Sequence, residues 1–179
     1  KPRAVIREVA ENVGVPIREL GTDFAYEYQP GLPGVITHGH SYRLSLLGRH
    51  QAANASVVVE AVRQLQNRGL KITEDDIQHG LANVRHPARI EVVRRDPLVI
   101  LDCAHNTASI QALVETLNES FPEYPRAKRT CIFAVSRDKD IAGMLKILKD
   151  EFRTVHFTSY SKSGRSATKT ELLKLWPGA

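Results

Sequence analysis

The chain has 179 residues and is short of the residue types that mark specialised classes. Its 2 cysteines, Cys103 and Cys131, sit in separate apolar runs. They carry no metal-ligand spacing and make no disulfide framework. A reducing compartment, the cytoplasm, is therefore the expected setting. The longest apolar runs, such as ASVVV and PLVILDCA, are far too short to span a bilayer. The opening KPRAVIREVAENVG mixes charge into a helical pattern and lacks a signal-peptide apolar region. Aromatics are only 6% of the chain, and its basic residues do not cluster with them, which argues against nucleic acid as a partner. No internal repeat, low-complexity tract or glycine-rich phosphate loop occurs.

What remains is an ordinary globular composition, 42% hydrophobic and 25% charged. The length suits one large domain or two small ones. The net charge of +5 favours anionic partners, although a slightly basic surface needs none.

Val5, Ile6, Val9 and Val13 recur at helical spacing and stop at Gly14, which predicts a first helix. Glycine and proline then punctuate two extended runs, Val35 to Thr37 and Tyr42 to Leu47, as in a hairpin or loop-linked strands. HQAANASVVVEAVRQLQNRG is rich in helix formers and is closed by Gly69. TEDDIQHGLANV predicts a short helix capped by Thr73, with acids in its first turn. Pro87 breaks this pattern. Beyond it come strands at RIEVV and LVILD joined by a tight RRDP turn, and a helix over residues 107–120. RTCIFAV, DIAGMLKILKDEF, TVHFTSY and TKTELLKLW continue the alternation of strand and helix. The expected fold is α/β, with a mainly parallel sheet covered by helices and a domain boundary near Val84 to Pro87.

In such sheets ligands bind at the carboxyl ends of strands. Asp102 stands at one such end, Ser136 to Asp138 at a second and Ser159 to Ser161 at a third. They form either one rim of a site or the ordinary polarity of loops, with Asp102 capping the next helix.

Four motifs occur in order: LLGRHQAANA, HPARIEVV, VILDCAHN and FAVSRDKD. Together they resemble the folylpolyglutamate synthase and dihydrofolate synthase branch of the Mur ligase family. The family pattern runs Leu-Gly-x-His-Gln-x-x-Asn, Trp-Pro-Gly-Arg-Leu-Glu, Asp-Gly-Ala-His-Asn and a Lys-Asp motif after the next strand. The opening VIREVAENVGVPIRELGTDF also resembles the stretch after the family's central catalytic region. Three positions depart: His86 replaces Trp, and Ala88 and Cys103 each replace Gly. A side chain at 103 requires the backbone to avoid positive φ or the loop to shift.

The resemblance implies that residues 1–86 are the C-terminal part of a central ATP-binding domain. Residues 87–179 would be the Rossmann-like Mur ligase C-terminal, or glutamate ligase, domain. It implies ATP and Mg2+ as cofactors, and L-glutamate and a folate as substrates. The reaction would be ATP-driven amide formation through an acyl phosphate. The phosphate loop, the metal ligands and the pterin pocket would lie upstream of Lys1, so the chain is expected to be a fragment, inactive alone, with no metal ligands of its own. By the same resemblance Asn54 reads the adenine edge, and Arg89 reaches the ATP phosphates in a catalytic role. Asp102 serves the nucleotide, as acids do that accept from ribose hydroxyls. His105 contacts glutamate or the acyl phosphate region.

Each role has a plainer rival. Asn54 could be a helix-surface residue, Arg89 the partner of Glu91, and His105 a cap for the helix at 107–120, with Asn106 and Thr107 competing for that position. His50 and Gln51 are caps or nucleotide contacts. Lys139 and Asp140 neutralise substrate or begin a helix. If Asn54, Arg89 and Asp102 serve one nucleotide, Val84 to Ala88 is the expected hinge. Two other functions compete: a cell-wall Mur ligase, disfavoured by HQAAN with DCAHN, and a non-catalytic nucleotide-binding or interaction module derived from a Mur-type ligase. Oligomeric state is not encoded legibly.

Overall fold

The computed structural model of the chain describes residues 2–161 and 164–176. It divides into two compact units. The first runs to Gln29 and takes in Pro33–Ser45 and Gln51–Val84; the second holds Pro30–Leu32, Leu46–His50 and the chain from Arg85 onward.

The first unit opens with helix α1 (Pro2–Asn12). Its apolar positions are where the periodicity puts them, yet Val5, Ile6 and Val9 remain more than half exposed. Arg3 and Arg7, on the same helix, both pair with Glu19. Strands β1 (Tyr26–Glu27), β2 (Gly34–Thr37) and β3 (His40–Arg43) form an antiparallel sheet in that order. The β2–β3 connection is a two-residue turn, His38 and Gly39, both at positive φ (51° and 76°). That matches the turn whose twist suits a hairpin. Helix α2 (Arg49–Asn67) lays Ala52, Ala55 and Val59 into a core with Val35, Tyr42, Leu44 and Ile77. Gly69, at φ 94°, donates its N–H to the Gln66 carbonyl just past the end of α2. Helix α3 (Glu74–Asn83) is capped by Thr73 in a reciprocal box with Asp76.

In the second unit, β4 (Glu91–Arg95) and β5 (Leu98–Leu101) form an antiparallel hairpin. Strands β6 (Thr130–Phe133) and β7 (Thr154–Phe157) pair in parallel. Helices α4 (Thr107–Ser120), α5 (Ile141–Glu151) and α6 (Lys169–Lys174) complete a mixed α/β unit. The expected parallel pairing is seen where α5 provides the crossover between β6 and β7. The two residues between them, Asp96 and Pro97, cannot form such a crossover, so β4 and β5 turn back on each other. The core gathers Ile110, Val114 and Leu117 from α4 and Met144, Leu145 and Leu148 from α5. Phe133, Val135, Phe152 and Leu172 close it. Asp140 caps α5 by accepting from the Gly143 amide at 3.0 Å, and Thr107 donates to its other oxygen at 3.1 Å. The starts of α4 and α5 are thereby tied together. No helix among the described residues is long and apolar enough to cross a membrane.

Candidate functional site

Asp102 follows directly on β5, and its carboxylate is occupied on both sides. Oδ2 accepts the Ile90 N–H at 2.9 Å, and Oδ1 accepts the Ala104 N–H at 2.7 Å. A third bond, from the Cys103 N–H to the Ala88 carbonyl at 2.9 Å, joins the same two loops. The loop held in this way is unusual. Ala88 and Ile90 both have positive φ, 54° and 50°, a region that favours glycine. The Ala88 N–H is also taken, by Glu91 Oε2 at 2.8 Å. Ile90 anchors the loop through a side chain that is only 4% exposed. Cys103 is not among the positive-φ residues. Its side chain is therefore tolerated where the family pattern has glycine. Ala88 instead keeps the left-handed geometry.

Between Ala88 and Ile90 stands Arg89, half-buried. Glu91, its expected rival partner, is committed to the Ala88 amide, and Arg89 makes no ion pair among the described residues. A partly desolvated guanidinium without a counter-ion is a ready anion donor. His50 belongs to the same unit. Burial lowers its pKa, and the Arg89 cation lowers it further, against the opposing pull of Asp102 and Glu115. His50, Arg89 and Asp102 are therefore electrostatic neighbours. His50 was not among the principal candidates from the sequence. Its signal was the Gly-Arg-His run at the start of α2.

Gly48 explains why that run can be so close. It has φ 100°, and a Cβ there would collide with Thr116 Oγ1 on α4 and press on the His50 ring. Thr116 itself is buried and donates to the Ala112 carbonyl at 2.8 Å. Asn54 lies in the first unit, exposed on α2, where its amide donates to Gln51 Oε1 at 3.3 Å.

The rivalry at the start of α4 is resolved. Asn106 is the cap, accepting from the Ser109 N–H at 2.8 Å, while Ser109 Oγ accepts back from the Asn106 N–H at 3.1 Å. His105 is exposed and free of that duty. Its Nδ1 lies 3.1 Å from the Cys103 carbonyl. A carbonyl only accepts, so this contact needs the proton on Nδ1 and leaves Nε2 as the acceptor of a neutral ring.

The other strand ends bond largely to one another. Ser136 shares a hydrogen bond with Tyr160. Arg137 forks onto Glu171, whose carboxyl is held down to about 2 by the Thr168 backbone N–H, by Arg137 and by the Thr168 hydroxyl. Asp138 pairs with Lys139 and Arg165. Lys139 and Asp140 thus belong to local structure. A cavity of about 400 Å³ beside α4, lined by Leu98, Ile100, Leu113 and Phe133, has Asp102 on its wall but neither Arg89 nor His105. No group of three or more His, Cys, Asp or Glu side chains fit for a metal exists among the described residues.

The second unit has the architecture of an amino-acid ligase C-terminal domain. Residues 88–176 match the family described as Mur ligase, glutamate ligase domain. The dihydrofolate synthase/folylpolyglutamate synthase of Bacillus subtilis (strain 168) is 29% identical over 174 residues, covering 92% of this chain and 40% of that protein. The dihydrofolate synthase/folylpolyglutamate synthase of Mycobacterium tuberculosis (strain ATCC 25618 / H37Rv) is 34% identical over 130 residues, 72% of this chain and 26% of the relative. The structure of Mycobacterium tuberculosis folylpolyglutamate synthase complexed with ADP superposes with a TM-score of 0.82 at 28% identity, over 97% of this chain and 39% of that one. The chain belongs to the Mur ligase family, in its folylpolyglutamate synthase and dihydrofolate synthase branch. It spans about two fifths of the length of the Bacillus relative and of the ADP-bound structure.

Proposed function

We propose that this chain is the C-terminal portion of an ATP-dependent, cytoplasmic ligase that adds L-glutamate to a folate. Residues 1–86 then complete the central ATP-binding domain, and residues 87–179 form the glutamate ligase domain. In the reaction, a folate carboxylate oxygen attacks the γ-phosphorus and ADP leaves. The amine of glutamate, having lost a proton, adds to the acyl carbon, and inorganic phosphate departs. The glycine-rich phosphate loop, the folate pocket and the ligands for Mg2+ come from the rest of the ligase. The bound ion supplies charge neutralisation at the phosphates.

The observation that carries this reading is Arg89: half-buried, without an acidic partner among the described residues, and held on a fixed loop. Such a guanidinium suits the charge of a transferring phosphoryl group. Asp102 belongs to the same nucleotide site, where its carboxylate holds the Ile90 and Ala104 amides. Asn54 offers a donor and an acceptor to the adenine edge. His105, exposed before α4, offers its ring to glutamate or to the acyl phosphate region.

Arg89→Ala in the complete ligase tests the reading. It should lower kcat/KM for ATP by roughly ten- to a thousandfold, about 1.4–4 kcal/mol. A variant with the parent's ATP kinetics would remove Arg89 from the site.

A further inference from the structure

We infer that Asp102 is a positioning residue that acts on the nucleotide through the backbone loop carrying Arg89; the inference rests on the proposed ATP site. Three observations converge. First, one carboxylate bridges two loops: Oδ2 holds the Ile90 amide and Oδ1 the Ala104 amide. Second, the bridged loop is in a conformation that its own residues resist. Ala88 and Ile90 both lie in the left-handed region, and a β-branched residue there is an outlier that surrounding bonds must enforce. Third, Arg89 lies between those two residues and has no acidic side chain among the described residues to aim it. Its direction is therefore set by the backbone on either side. The Cys103 amide on the Ala88 carbonyl and the Glu91 carboxylate on the Ala88 amide pin one flank. Asp102 pins the other.

The alternative is that Asp102 serves the ribose directly. The two roles differ in which ligand they touch. A carboxylate that binds ribose matters for ATP and is irrelevant to inorganic tripolyphosphate. One that orients Arg89 matters for both. Asparagine is the informative substitution, because its single acceptor oxygen can satisfy only one of the two amides and its NH2 would face the other N–H.

Equilibrium binding of ATP and of inorganic tripolyphosphate is measured on the complete ligase for four proteins: parent, Asp102→Asn, Arg89→Ala and the double variant. Asp102→Asn should weaken both ligands by the same factor, about tenfold. The double variant should bind no more weakly than Arg89→Ala alone, the non-additivity of residues acting as one unit. Loss confined to ATP, or additive losses in the double variant, would overturn the inference while leaving the ligase reading intact. A parent enzyme that binds ATP without any dependence on Arg89 would instead undo the proposed site. Amide exchange in the parent protein gives a second measurement that does not depend on the variant folding. The Ile90 and Ala104 N–H groups should exchange slowly, and rapid exchange at either would also overturn the inference.

Discussion

Asp102 and Ile90 are twelve residues apart, and a single 2.9 Å bond from the Ile90 N–H to Asp102 Oδ2 joins them. That bond helps keep both Ile90 and its neighbour Ala88 at positive φ. The two residues should respond to glycine in opposite ways. An L-residue in this region costs about 1–2 kcal/mol, and glycine returns roughly 0.5–1 kcal/mol of that as lost chain entropy. Ala88 is half-buried and small, so strain relief dominates. Ala88→Gly should raise stability by about 0.5–1 kcal/mol in denaturant titrations. Ile90 is 4% exposed, and emptying a buried aliphatic site costs about 2–5 kcal/mol. Ile90→Gly should therefore destabilise. A destabilised Ala88→Gly protein would mean that the left-handed geometry is not strained.

His50 should give the second unit a dependence on pH. Its pKa in the folded chain lies below the ordinary 6.5, through burial first and the Arg89 cation next. Between the folded value and 6.5 the unfolded chain holds more protons than the folded one, so stability rises with pH. The contribution is complete above about pH 6.5 and is lost as pH falls through the folded pKa. His50→Gln should flatten the stability profile on the acid side of 6.5 relative to the parent. The remaining histidines are common to both proteins and cancel in the difference. Parallel profiles would show that His50 is not shielded.

The two cysteines should separate by reactivity. Cys103 is exposed. Burial pushes the Cys131 thiol up to about 11, which leaves roughly a thousandth of it as the reactive thiolate at pH 8. A disulfide reagent should titrate one thiol quickly in the folded chain and the second only after denaturation. Two equally fast thiols would place Cys131 in solvent.

Much of this is legible in the sequence. Helix 107–120, the Thr73 cap and the hairpin at β2–β3 follow from periodicity and turn chemistry that act over a few residues, and the structure has all three. The exposed stripe of α1 was not legible as such. Val5, Ile6 and Val9 encode an apolar face whatever covers it, and periodicity cannot name the partner. The antiparallel β4–β5 pair was implicit in the four-residue RRDP turn, yet the alternation of strand and helix suggested a mainly parallel sheet. The candidates Arg89, Asp102 and His105 came from motif likeness. What likeness could not supply was the bond from Ile90 to Asp102 or the approach of His50. Both depend on contacts between residues far apart in sequence. The left-handed loop had one signal: the family pattern has glycine where Ala88 stands. Side-chain identity alone does not reveal that a backbone keeps a geometry its residue resists.

Gly48 offers the sharpest test of how the His50 segment is seated. Two independent demands fall on it. Its φ of 100° lies where a side chain is strained, and the space a Cβ would fill is already occupied by Thr116 Oγ1. Thr116 cannot easily withdraw, because it is buried and its hydroxyl is bonded to the Ala112 carbonyl one turn back in α4. Gly48→Ala should therefore combine backbone strain with a steric clash and cost about 2–4 kcal/mol, above the usual range for a surface loop. The double variant Gly48→Ala with Thr116→Ala separates the two terms. Removing the hydroxyl should recover the steric part, roughly 1–2 kcal/mol, and leave the backbone part in place. Thermal denaturation of the four proteins in the cycle measures both. If Gly48→Ala melts at the parent temperature, the Leu46–His50 segment does not rest on α4. No recovery in the double variant would assign the whole cost to φ.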